Sequence, residues 1–509
     1  MNRINYKFSD SDSDIGIGIG RLDMKHKNPK PISHKSIYNS TNATSPTAPT
    51  APTIHKTIKQ KSSKHGHHGH HGKHNKYMNL SSLTLQPTNY ISTLVNLYYD
   101  NDNVSHNFLK DLNSSQSTKQ HIFPEHKRVI VIGDIHGDFD AAIKCLIIAK
   151  CIKAIDVPAN KSVSTMDNFF KKLEWIGNDT YIVQLGDQID RVRPQNWDNN
   201  KLTIDSAYKD EGSTLEIFYL FYYLDKLARS SKGRVFSIIG NHEIMNVEGD
   251  FRFVSLKEFK SFKQHLETVY HKHSKYPYHS RTLKKKSYIL NSNNNSSSGS
   301  SSGSGRNNNN NTNLPDGYRE RLYAFSPTGI CSNMMGTNNY TILQIGKWLF
   351  CHGSPVLNTL KTYNIDLINN YVSMYLLGVE NKQNEISKHY HSITQSGEKS
   401  VLWNRDFGET ELNKKIEDNL STQLNTILEA YNNKNKTLQN KINVEKANYI
   451  AVGHTIQDTS KHGINSICNG RVWRCDVAMS KAFGNKQNSK YRMPQVLQIL
   501  NGNNMQILL

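Results

Sequence analysis

Six short apolar runs recur along the chain, each rich in Val, Ile, Leu and aromatic residues and each stopping at a polar turn that carries Gly or Asp. They occupy positions 128–133, 181–186, 234–240, 348–353, 449–453 and 471–476. Runs this short and this β-branched predict buried strands. Between them lie helical patterns. Positions 213–229 are apolar nearly all round behind a candidate N-cap at Ser213 or Thr214, which predicts a buried helix. Leu412, Ile416, Leu420, Leu424 and Leu428 recur every four residues and give one apolar stripe on a polar helix. Strands alternating with helices point to the α/β class, α+β in some schemes. Sheets of that kind bind ligands beyond the carboxyl ends of their strands.

Two tracts break the pattern. Positions 1–126 are polar, basic and His-rich, with apolar periodicity only near Ile91–Tyr99, and predict a largely disordered tail. Positions 271–313 end in a run of Asn, Ser, Gly and Thr that cannot bury enough apolar surface to offset its chain entropy, and predict a solvated insertion. The remainder of 127–509 is then one large catalytic domain. The net charge of +20 mostly belongs to the two tracts, which hold 22 Lys/Arg against 8 Asp/Glu. The rest is only mildly basic, which excludes a specific nucleic-acid reading of the core. The six cysteines form no Cys-x-x-Cys pair, as suits a reduced compartment. The longest apolar run, 217–224, is too short to span a bilayer, and the first twenty residues lack a signal-peptide core. These features predict a soluble chain that is not secreted.

The strand exits carry the chemistry. Gly133-Asp134-Ile135-His136-Gly137-Asp138 follows the first run, Gly186-Asp187-Gln188-Ile189-Asp190-Arg191 the second and Gly240-Asn241-His242-Glu243 the third. Cys351-His352-Gly353 ends the fourth and Gly453-His454-Thr455 the fifth. Oxygen and imidazole donors without thiolates suit Mn, Fe or Zn. On an extended strand end Asp134 and His136 would share a side and chelate one ion. Asp187 would bridge to a second ion completed by Asn241, His352 and His454. Two metals about 3.5–4 Å apart lower the pKa of a bridging water and clamp a phosphoryl oxygen, so the expected nucleophile is a metal-bridging hydroxide attacking in line. His242 is the candidate general acid, held in its donor form by Asp190. Arg191 is placed to fork onto phosphate oxygens.

Together these five motifs resemble the calcineurin-like metallophosphoesterases, and among them the phosphoprotein phosphatase superfamily. Trp175-Ile176-Gly177, the stretch from Met245 to Val254 and the stretch from Val472 to Phe483 resemble its Shewanella-like branch. The resemblance implies a β-sandwich of two mixed sheets flanked by helices, with a dinuclear metal site at the strand carboxyl ends. It also implies a second phosphate-binding arginine from a later loop, for which Arg405 is preferred and Arg252 is the alternative. The sequence departs from the family pattern at Ser354, where a second Gly is usual, and at Val192, where a Gly is usual.

The function expected is phosphomonoester hydrolysis on a phosphorylated protein or peptide, with phosphoserine/threonine and phosphotyrosine both open. A nucleotide or dinucleoside polyphosphate hydrolase on the same two-metal core is the alternative, and a catalytically silent scaffold the second. Oligomeric state is not legible in the sequence.

Overall fold

The computed structural model describes residues 89–99, 119–193, 209–272, 314–379, 384–408, 412–457, 463–483 and 492–509. Most of the expected tail and nearly all of the expected insertion lie outside the described residues.

The apolar runs become strands of two mixed sheets. In chain order the strands are β1 (Ile122–Phe123), β2 (Arg128–Ile132), β3 (Tyr181–Gln184), β4 (Arg234–Ser237), β5 (Ile342–Ile345), β6 (Trp348–Cys351), β7 (Tyr449–Val452), β8 (Asn465–Ile467), β9 (Val472–Arg474), β10 (Val496–Leu500) and β11 (Asn504–Leu508). One sheet runs β11-β10-β2-β3-β4 and the other β1-β5-β6-β7-β9-β8. Within the first, β2, β3 and β4 are parallel neighbours, with Val129 opposite Tyr181 and Tyr181 opposite Arg234. Within the second, β6, β7 and β9 are parallel neighbours. Each sheet therefore sends three adjacent carboxyl ends in one direction, and those six ends are the ones the sequence marks with Asp, His or Asn.

Twelve helices accompany the strands among the described residues: α1 (Tyr90–Tyr99), α2 (Phe139–Ile148), α3 (Val163–Lys171), α4 (Thr214–Arg229), α5 (Asn241–Val247), α6 (Leu256–Lys272), α7 (Tyr318–Phe325), α8 (Ile330–Asn338), α9 (Leu357–Thr362), α10 (Ile365–Leu376), α11 (Glu385–Thr394) and α12 (Lys414–Lys441). α4 is buried as its composition predicts, with Leu215, Ile217, Phe218, Leu220, Phe221 and Leu224 all in the core. Truncating Phe218 to Ala would cost about 3–5 kcal/mol. On α12 the expected stripe is buried at Leu420, Leu424 and Leu428 but not at its start, since Leu412 precedes the helix and Ile416 is only partly buried, and the buried face then passes to Ile427, Tyr431 and Asn435. Four residues overshoot one 3.6-residue turn, so a straight helix hands its buried face to the neighbouring row.

Packed structure begins before position 127. Tyr90, Ile91 and Leu94 of α1 belong to the main core. The Tyr90 hydroxyl donates to Glu216 Oε1 at 2.6 Å and its backbone N–H to Asp167 at 2.8 Å. β1 pairs with β5. All six cysteines are buried and free. No described helix is long and apolar enough to cross a membrane.

Candidate metal centre

Backbone conformation at the strand exits brings the motif residues together. β2 stops at Ile132, so Asp134 and His136 do not share an extended strand, contrary to the expectation from alternation. A turn joins them instead: His136 has φ 45° and Gly137 φ 68°, and the backbone N–H groups of Ile135 and His136 both donate to Asp187 O. His136 Nε2 then lies 3.9 Å from Asp134 Oδ2 and 3.7 Å from Asp187 Oδ2. Asp187, at φ 50°, and His454, at φ 66°, are also left-handed. Strain of this kind, of order 1–3 kcal/mol per residue, collects at functional sites.

The two sheets close on each other at Gly133 and Gly453, and adjacent exits of one sheet meet at Gly240. A Cβ on Gly133 would lie 2.1 Å from Cys475 O, one on Gly240 2.2 Å from Asp187 Oδ1, and one on Gly453 2.3 Å from Asp134 Oδ1. Any larger residue there would displace a carboxylate or part the sheets. Glu243 ties the loops from below: its carboxylate accepts the backbone N–H groups of Asp187 at 2.9 Å, Gln188 at 2.8 Å and Gly240 at 2.7 Å.

One ligand atom each from His136, Asp187 and His242 lies within 4.8 Å of the others, and the same holds for Asp187, His352 and His454. Asp187 is common to both groups. Asn241 sits in the second: one terminal atom of its amide is 2.9 Å from His352 Nε2, 2.9 Å from His454 Nδ1, and 3.2 and 3.3 Å from the Asp187 oxygens. The histidine protons point elsewhere. His352 Nδ1 donates to Leu185 O at 2.7 Å, and His454 Nε2 to Trp403 O at 3.0 Å. For His454 the neutral form leaves Nδ1 as a lone pair toward this group, while the Nδ1 bond of His352 turns its Nε2 to within 3.3 Å of Asp187 Oδ1. With the Asn241 oxygen turned inward and His352 neutral, carboxylate, amide and imidazole atoms about 3 Å apart match the spacing of ligands around a cation bound at about 2.0–2.2 Å. The donor set therefore fits metal ions.

Electrostatics agree except at His352, where burial would lower the pKa but the Asp187 charge outweighs it and raises it. Burial, together with the Asp476 and Asp187 charges, holds Asp134 well above the usual carboxylate range. Burial also lifts Asp476 to about 6, with Asp187 adding to the rise. Burial would lift Asp187 as well, but the charges of His352 and His242 outweigh it and hold the group well below its ordinary value. Burial and then the Arg193 charge depress His136, while burial and then the Arg405 charge depress His454, so both favour the neutral imidazole. Crowded carboxylates beside neutral imidazoles are stabilised by added positive charge.

His242 lies in the first turn of α5, beside this set. Its Nδ1 is 2.8 Å from Asp190 Oδ2, which leaves Nε2 on the side of Asp187, 3.8 Å from Oδ2. Asp190, at φ 73°, is buried and further held by Asn246 Nδ2 at 2.9 Å and Arg321 at 3.1 Å. Arg321, fully buried on α7, also donates to Asn246 Oδ1 at 2.8 Å. Sequence reasoning missed Arg321 because it follows the low-complexity stretch and belongs to no strand exit.

The arginines divide. Arg191, expected to fork onto phosphate, has its guanidinium buried 3.2 Å from Asp138 Oδ2, and it donates to Ser480 Oγ at 3.1 Å and to Lys209 O at 3.2 Å. Asp138 also accepts from Lys481 Nζ at 3.0 Å. A fork so engaged is a strut of the fold. Arg193, two residues on, stands between the rings of Phe483 (4.8 Å) and Phe253 (5.3 Å), and those rings pack against His136 and His242 respectively. The sequence reading did not single it out. Arg405 is exposed and donates to His454 O at 2.9 Å, which places it at the rim beside the second group. Arg252 pairs with its neighbour Asp250 at 2.7 Å. Of the two departures from the family pattern, Ser354 acts as an anchor, its Oγ accepting Phe407 N–H at 2.9 Å on the loop that carries Arg405, while the Val192 N–H bond to Phe253 O at 2.9 Å is one a Gly would also make.

Two mixed sheets flanked by helices, with converging acid and imidazole groups at their carboxyl ends, define a metallophosphoesterase architecture. The chain belongs to the calcineurin-like phosphoesterase family, whose model matches residues 127–457. It is 26% identical over 82% of its length to Shewanella-like protein phosphatase 2 of Arabidopsis thaliana, covering 86% of that protein. It is 25% identical to Shewanella-like protein phosphatase 1 of Plasmodium berghei, covering 73% of this chain and 72% of that one. Among solved structures, the cold-active protein-tyrosine phosphatase of a psychrophilic Shewanella species aligns over 77% of this chain and 83% of its own, with 16% identity and a TM-score of 0.42.

Proposed function

We propose that the protein is a metal-dependent phosphomonoester hydrolase acting on phosphorylated proteins. One observation carries this reading: Asp187 lies within ligand range of His136 and also of His352 and His454, and His242, held by buried Asp190, faces the same carboxylate. In this reading Asp134, His136 and Asp187 hold one cation, and Asp187, Asn241, His352 and His454 hold a second. Manganese, iron and zinc all suit this donor set. Such cations supply Lewis acidity, lowering the pKa of the attacking water and offsetting phosphoryl charge.

The chain's own groups do the rest. Asp190 fixes His242 with the proton on Nδ1, so in its charged form Nε2 holds the proton that a departing serine, threonine or tyrosine oxygen needs. Arg321 and Asn246 orient Asp190. Arg193, held on two aromatic faces with Nη1 donating to Asp190 O at 3.2 Å and Val192 O at 2.8 Å, would bring its charge toward the phosphoryl oxygens from the His136 side, and Arg405 would do so from the His454 side. Arg191 is given no substrate role.

A protein substrate is supported by the relatives named as protein phosphatases. The test is product analysis: the manganese-loaded full chain is offered phosphoserine, phosphothreonine and phosphotyrosine peptides and a dinucleoside polyphosphate in parallel. Phosphate released from peptides, with the dinucleotide intact, is expected. Cleavage of the dinucleotide alone would replace this reading with the polyphosphate hydrolase.

A further inference from the structure

Arg321 carries a charge into the interior at a place no substrate can reach. It is fully buried on α7, and its guanidinium lies among the rings of Phe262, Phe325 and Phe251 at 4.9, 5.0 and 5.9 Å. Each of its nitrogens is engaged: Nε donates to Asn246 Oδ1 at 2.8 Å, Nη1 to Thr214 Oγ1 at 3.3 Å and Nη2 to Asp190 Oδ1 at 3.1 Å. α7 is in turn pressed onto α6, because its N-cap Gly317 has φ 90° and a Cβ there would overlap Phe259 O. A planar fork held at three points between aromatic faces has little freedom to turn.

Stability alone does not account for this arrangement, since well-packed apolar side chains often serve a fold as well as a buried ion pair does. What the fork does is divide Asp190. Arg321 takes Oδ1, and Asn246 Nδ2 bridges both oxygens at 2.9 and 3.0 Å, which leaves Oδ2 for His242 Nδ1 at 2.8 Å. Asn246 Nδ2 also donates to His242 O at 2.9 Å, so one amide ties the carboxylate to the backbone of the residue it orients. Turning the carboxylate would break the bonds to Arg321 and Asn246 together. The imidazole plane, and with it the direction of Nε2 toward Asp187, is therefore set from α7.

The direction of Nε2 matters unequally among esters. An alkoxide leaving from serine or threonine needs a proton as its bond to phosphorus breaks, whereas p-nitrophenolate departs without one. A misdirected acid therefore slows the first kind of ester and spares the second.

We infer that Arg321 is the positioning residue that extends this centre from activated aryl esters to alkyl phosphoesters, acting through Asp190 on His242 and touching no substrate. The inference rests on the hydrolase reading above, with His242 as its acid.

The test offers a phosphoserine peptide and p-nitrophenyl phosphate to the same preparation of manganese-loaded full chain, so that the ratio of the two kcat values does not depend on the fraction folded. Arg321→Lys keeps the charge and loses the fork. It is expected to lower kcat about 10–100-fold on the peptide and by no more than about threefold on p-nitrophenyl phosphate, with KM for both close to wild type. In a His242→Ala background the same change should lower the peptide rate no more than the p-nitrophenyl phosphate rate, because its effect passes through the imidazole. Asn246→Ala, which withdraws the amide between fork and carboxylate, should shift the ratio the same way by a few-fold, and it serves if Arg321→Lys unfolds the chain. Equal losses on the two substrates in either variant, or a peptide loss in Arg321→Lys that adds in full to that of His242→Ala, would overturn the inference and leave the hydrolase standing. The hydrolase reading fails separately, and takes the inference with it, if the wild-type chain shows no manganese-dependent turnover or if His242→Ala slows both substrates equally.

Discussion

The metal centre and the Asp190 cluster beside it are opposite answers to one problem. Both hold buried charged groups, but only the second is satisfied by the chain itself. At the metal centre the surplus is of acceptors: Asp134, Asp187 and Asp476 crowd together, and the neutral His454 ring turns its one proton outward to Trp403 O. At the cluster Asp190 is met by His242 Nδ1, Asn246 Nδ2 and Arg321. An uncompensated buried polar group is costly, and the sign of the surplus states the sign of what is missing. The first region asks for cations; the second, already paired, holds the candidate acid beside them.

The largest effect that could break this contrast is at the shared ligand. Asp187→Asn keeps the shape and the hydrogen bond to His242 N–H but removes the charge that both ligand groups share. Metal-dependent turnover is expected to fall to background, with metal content dropping in parallel by elemental analysis. His242→Ala is next: the rate on alkyl phosphoesters should fall by about 10²–10⁴-fold, and far less on an aryl phosphate whose leaving group needs no proton. Equal losses on both substrates would remove His242 from the acid role.

The arginines sharpen the comparison inside the centre. Arg193→Ala is expected to lower kcat/KM by about 10²-fold with the melting temperature little changed. Arg191→Ala takes one of the two cations from buried Asp138 and empties a fully buried site, and should cost about 3–5 kcal/mol of stability, seen in thermal unfolding. The reverse pattern would restore Arg191 as the phosphate ligand.

The smallest effect tests the α1 attachment. Glu216 is held above its ordinary pKa, first by burial, and its Oε2 has no partner. A carboxyl whose folded pKa is raised loses stability as pH rises from its unfolded value through its folded one. Glu216→Gln still accepts from Tyr90 and escapes that loss, so the variant should melt about 2–4 °C above wild type at pH 8 and with no such gain at pH 4.

How much of this was legible in the sequence depends on what kind of residue carried it. The six marked strands were legible, because short β-branched runs that stop at Gly-Asp or Gly-His carry both their conformation and their chemistry locally. The hairpin β10–β11 was not picked out, although Asn501-Gly502, at φ 47° and 68°, is a turn signal that could have found it. The positions of Asp134 and His136 were read from strand alternation, whereas a left-handed turn sets them. Arg191 shows a deeper limit. Its motif fixes the backbone beside Asp190, but its side-chain direction is settled by Asp138 and Ser480, the latter 289 residues away in the chain. Arg321 and Arg193 likewise depend on contacts between distant segments, which no local pattern encodes.

The central claim, that Asp187 unites two cation sites into a hydrolytic centre, is tested most directly by hydrolysis of p-nitrophenyl phosphate by the full chain, with manganese and with chelator, alongside Asp187→Asn. The account predicts turnover that chelator abolishes, manganese restores, and the variant lacks while remaining folded by circular dichroism. Turnover that persists in chelator or in a folded Asp187→Asn would contradict it.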